Sequence, residues 1–95
     1  MADKQQVEQL LRAAGPAHHE AFIETNGDDP DWPLWYAGYL QESLSNALGA
    51  TLTKSELVYQ LVDLDREHQN RDPESDWPSF YAQALVDRSE AGDLE

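Results

Sequence analysis

The chain has no cysteine, no long apolar run and very little positive charge. Without cysteine there is no disulfide, no thiol nucleophile and no zinc–thiolate site. No stretch reaches the roughly 18 apolar residues that a membrane-spanning helix requires. The opening Met1-Ala2-Asp3-Lys4 has none of the apolar character of a secretory signal. A cytoplasmic location with no membrane partner is the resulting expectation. Six Lys and Arg stand against 19 Asp and Glu, a net charge of −13, and the pI is near 4.3. No Lys or Arg occurs between Arg12 and Lys54, and the six form no basic patch. Such a surface repels phosphate backbones, so no nucleic-acid partner is expected. G-x-S-x-G, P-loop and dinucleotide glycine patterns are also missing, so no catalytic residue and no cofactor is assigned.

What is present suits one small domain. At 95 residues the chain can build a single modest core. No segment alternates with a period of two, so no strand is expected. The apolar residues follow helical spacing instead. Asp3 and Gln6 resemble a capping box ahead of Val7, Leu10, Leu11 and Ala14. Gly15-Pro16 predicts a break, followed by a short second helix over Pro16–Thr25. Asn26-Gly27-Asp28-Asp29-Pro30 reads as a loop. A third helix is expected from Trp32-Pro33 to Leu48, closed by Gly49, with an apolar stripe that includes Tyr39. Thr53 and Glu56 form a capping box for a fourth helix carrying Leu57, Val58, Leu61, Val62 and Leu64. After the Asp72-Pro73-Glu74-Ser75 loop, a fifth helix is expected over Trp77–Ala91, with fraying beyond Gly92.

The strongest pattern is internal. Asp31-Trp32-Pro33-Leu34-Trp35-Tyr36-Ala37-Gly38-Tyr39-Leu40 matches Asp76-Trp77-Pro78-Ser79-Phe80-Tyr81-Ala82-Gln83-Ala84-Leu85, at an offset of 45 residues from Trp32 to Trp77. Each copy follows an Asp-Pro loop, and the second has two more residues between its Pro and its Trp. Positions Trp, Trp+3, Trp+4 and Trp+8 share one helical face. Ala at Trp+5 leaves room for a close helix approach. The expected fold is therefore all-α, with four to five helices, as duplicated helix–loop–helix units around one core. The units span about 16–48 and 53–91, related by a pseudo-twofold axis, with the first helix an addition. Asp31 and Asp76 are expected to cap their helices.

Residues His18 to Leu40, with the Asp-Trp-Pro-x-Trp-Tyr-Ala-x-Tyr-Leu motif at their end, resemble small bacterial helical proteins of no established function. The resemblance covers about a quarter of the chain. It implies a helical fold and no particular activity.

The remaining candidates concern binding. His18 and His19 are adjacent, so on a helix they diverge by about 100° and do not chelate one ion together. The acidic loop departs from the EF-hand spacing, and no metal ligand is assigned. The excess of carboxylates points instead to a protein-interaction module that binds a basic or cationic partner. Its contacts are expected among the loop acids Glu24, Asp28, Asp29, Asp72 and Glu74. The alternative is a small-ligand or metal-binding pocket built from His18, His19, Trp32, Trp35, Tyr36, Trp77 and Tyr81. Charge repulsion opposes self-association through the acidic faces but not through an apolar one, so monomer and homodimer both remain open.

Overall fold

A computed structural model of the chain describes residues 3–92. The Leu94-Glu95 ending and the acids Asp93 and Glu95 lie outside the described residues, as does the fraying expected beyond Gly92. Four helices follow in order: α1 (Lys4–Ala21), α2 (Trp32–Leu48), α3 (Lys54–Arg71) and α4 (Trp77–Glu90). A 3-10 turn, Ile23–Thr25, lies between α1 and α2. No strand occurs among the described residues.

α1 runs unbroken through Gly15-Pro16, which corrects the expected break and the separate helix over Pro16–Thr25. An internal proline removes one backbone hydrogen bond and costs about 3 kcal/mol. The buried stripe Val7, Leu11, Ala14 and His18 keeps helical spacing straight across it. Packing of that stripe outweighs the local cost. The first helix is thus no addition, but one member of the first helical pair. Its Asp3 carboxylate accepts the Gln5 N–H at 3.0 Å, and no reciprocal bond from Gln6 completes the expected box.

The other boundaries follow their sequence signals. Thr53 and Glu56 exchange both capping-box bonds, at 3.0 and 3.1 Å. Gly49 adopts a left-handed φ of 67° behind α2, and the Ala50 N–H reaches back to the Ser45 carbonyl. This 6→1 bond is the Schellman closure that favours glycine at that place. Pro33 and Pro78 occupy the first turns of α2 and α4. Asp31 and Asp76 hold the N-cap positions, but neither side chain makes a cap bond, contrary to expectation. Asp76 instead pairs with Arg12 of α1, and the Asp31 N–H donates to Asp29.

One core joins the four helices. α1 contributes Val7, Leu11 and Ala14; α2 contributes Ala37, Leu40 and Leu44. Leu57, Leu61 and Leu64 come from α3, and Tyr81, Ala82 and Leu85 from α4. Each fully buried leucine contributes roughly 1.5–3 kcal/mol. Ala37 and Ala82 are both fully buried, as expected for the small Trp+5 position. α1 packs against α2 and α4, and α2 packs against α3, whereas α3 and α4 touch less extensively. Arg88 compensates there: from α4 it bonds Asp63 at 2.8 Å, Glu67 at 3.2 Å and the Gln60 amide oxygen, all on α3. Val62 and Tyr39, expected on apolar stripes, are exposed.

Candidate functional site

His18 and His68 occupy corresponding places near the C-terminal ends of α1 and α3, and both are buried. They stand 50 residues apart, whereas the tryptophans stand 45 apart. The first connection is therefore five residues longer from His to Trp, and the 3-10 turn lies within it. Each His is held by a polar atom of the following loop. His18 Nε2 is 3.0 Å from Asp29 Oδ2, and His68 Nε2 is 2.8 Å from the Ser75 carbonyl oxygen. Both partners are acceptors, so each Nε2 carries the donated hydrogen. Each ring also meets the aromatic residues of the next helix. His18 stacks on Tyr36 at 4.9 Å and meets the Trp35 edge at 5.1 Å. His68 lies 5.1 Å from Phe80 and 6.2 Å from Tyr81.

These two assemblies face a common cleft of about 420 Å³. Its aromatic wall is a chain of four rings drawn from α2 and α4. Trp32 meets Tyr36, Tyr36 meets Trp77 and Trp77 meets Tyr81, at centroid spacings of 5.9, 6.1 and 5.2 Å and angles of 81°, 82° and 67°. Near-perpendicular contacts are the favoured arrangement for ring quadrupoles. Asp28, Asp29, Asp65 and Gln69 add polar groups to the lining, and no Lys or Arg belongs to it. Burial raises the Tyr81 phenol far above its ordinary range, and the nearby Asp65 carboxylate reinforces the shift. Burial likewise raises Tyr36, with Asp29 adding to it. In both cases a negative phenolate is opposed by low solvation and by a carboxylate.

The sequence-derived pocket residues divide. His18, Trp32, Tyr36, Trp77 and Tyr81 line the cleft; His19 and Trp35 do not. His19 lies over Gly27, where an added Cβ would come within 2.7 Å of its Nδ1. Trp35 stacks on Tyr39 at 4.9 Å. Among the loop acids, Glu24, Asp28, Asp72 and Glu74 are exposed. Asp29 departs from the expectation of an exposed acid: its side chain is 8% exposed, turned inward to His18 and to the Asp31 N–H. His68, Asp65 and Gln69 also line the cleft, although the sequence does not assign them to a pocket. Aligning the two histidines across the pairs would have found His68, whereas nothing distinguished Asp65 among 19 acids.

Among the described residues, no group of three or more His, Asp or Glu is placed to hold a metal ion. No helix there is long and apolar enough to cross a membrane. No family model matches the chain, and no curated protein or solved structure matches it either.

Proposed function

We propose that the protein is a non-enzymatic interaction module whose acidic surface binds a basic or otherwise cationic partner. The observation that carries this reading is the cleft, where aromatic rings and carboxylates share one lining with no Lys or Arg among them. Ring faces attract cations through their quadrupoles, and the attraction strengthens as the cation sheds water. The exposed acids Glu24, Asp28, Asp72 and Glu74 extend the negative field around the connecting loops and steer a positive partner toward it.

Affinity capture from a lysate of the source cells, at low and at raised salt, tests the reading. A basic protein is expected at low salt. Its retention falls at raised salt, because exposed charges are screened over about 8–10 Å. Asp72→Asn with Glu74→Gln lowers capture as well. Enrichment of no basic protein at either salt contradicts the reading.

A second reading, a small-ligand pocket using His18 and the Trp/Tyr cluster, draws support from the cleft volume of about 420 Å³. That lies within the roughly 300–1,000 Å³ typical of ligand sites. A saturable rise in the unfolding midpoint with a small molecule, without any captured protein, would favour it.

A further inference from the structure

The chemistry of the cleft narrows the kind of cation, on the reading that the partner is cationic. Three carboxylates line it, and they are not equivalent. Asp29 is committed to His18 through Oδ2 and to the Asp31 N–H through Oδ1. Asp28 is exposed. Asp65 is half-buried on α3, beside Tyr81, and belongs to no ion pair among the described residues. The half-buried acids Asp63 and Glu67 differ, since Arg88 pairs with both. Asp65 is thus a carboxylate set against an aromatic wall with no cation of its own.

An ammonium is compact and strongly hydrated, and its three donors call for acceptors on several sides. The cleft offers rings on its wall, two of them indoles. A guanidinium fits that pattern better. It is planar and weakly hydrated, it stacks on ring faces, and its fork reaches a carboxylate with two parallel N–H donors. We propose that the cleft is a receptor for one guanidinium group, an arginine side chain of the cationic partner, lodged among Trp32, Tyr36, Trp77 and Tyr81 and paired with Asp65.

The test is a titration of the full chain at constant ionic strength, followed by tryptophan fluorescence and calorimetry. The probes are doubly blocked arginine, lysine and citrulline, with methylguanidinium as a fourth. Citrulline keeps the shape of arginine and replaces the guanidinium by a neutral urea. Blocked arginine is expected to bind saturably, with a Kd on the order of 1 mM or tighter. Lysine binds several-fold more weakly and citrulline not measurably. Asp65→Asn weakens arginine about tenfold, the loss of one charge-assisted pair; Glu42→Gln, at an exposed acid of α2 outside the cleft, leaves it unchanged. Circular dichroism confirms that both variants are folded.

Equal binding of arginine and lysine, reduced alike by Asp65→Asn and Glu42→Gln, overturns the receptor and leaves the acidic-surface reading standing. Equal binding of citrulline overturns the guanidinium assignment. Methylguanidinium binding as tightly as blocked arginine overturns the side-chain source in favour of a free small cation. If blocked arginine binds as described while no basic protein is captured, the reading of a protein partner fails and the guanidinium site stands.

Discussion

His18 Nε2 lies 3.0 Å from Asp29 Oδ2, with the two side chains only 10 and 8% exposed. The bond ties the C-terminal end of α1 to the loop that leads into α2. The second Asp29 oxygen accepts the Asp31 N–H at 3.1 Å, so one carboxylate fixes both the His18 ring and the start of the next helix. Because Tyr36 stacks on that ring, the bond also sets one part of the aromatic wall.

Asp29→Ala is therefore expected to destabilise the fold by about 1–3 kcal/mol, the cost of leaving a buried donor unsatisfied. Urea denaturation measures it. A change within error would show that water replaces the carboxylate without loss.

Arg88 of α4 bridges to Gln60, Asp63 and Glu67 of α3. Arg88→Ala removes three bonds and strands the buried Gln60. A loss of about 1–3 kcal/mol is expected. Native-state hydrogen exchange should show the faster opening concentrated in α4.

Tyr81 holds its proton above the ordinary tyrosine range because it is buried and Asp65 is close. A group whose folded pKa is raised contributes stability that is fully present below its unfolded value, about 10, and is lost as pH climbs beyond it. The chain is expected to lose stability steeply above pH 10. Tyr81→Phe should flatten that fall while leaving the pH 7–9 region level. Denaturation midpoints across pH 8–11.5 give the comparison.

Arg12 lowers the Asp76 pKa by hydrogen-bonding its carboxylate. A depressed folded pKa favours the fold above the unfolded value, near 3.9, and that contribution disappears as pH falls through the folded value. In Arg12→Gln, Asp76 is expected to titrate closer to the ordinary aspartate range. Carbon-detected NMR of the carboxyl group reads the shift directly.

Much of the fold is legible in the sequence where the signals are local. The Thr53–Glu56 box and the Gly49 closure act within a few residues, so composition reveals them. The buried Leu40 and Leu85 of α2 and α4 follow from the repeated motif. Gly15-Pro16 misleads because the stripe from Val7 to His18 gains its energy from other helices, which local propensity does not register. Asp31 and Asp76 look like caps for the same reason: Arg12 and Asp29, which decide their roles, are distant or point inward. The cleft is half legible. Its aromatic residues stand out at helical spacing, but their meeting across Tyr36 and Trp77 depends on tertiary packing, as does the place of Asp65 beside Tyr81.

Entry of a cationic group into the cleft is read most plainly from the three tryptophans. Trp32 and Trp77 line the cleft, whereas Trp35 lies outside its lining. Proton–nitrogen NMR resolves the three indole N–H groups during titration with blocked arginine. Saturable shifts with a common Kd are expected for Trp32 and Trp77, and a much smaller shift for Trp35, which reaches the cleft only through His18 and Tyr36. Stationary indoles throughout, or equal drift of all three, would contradict entry of the cation.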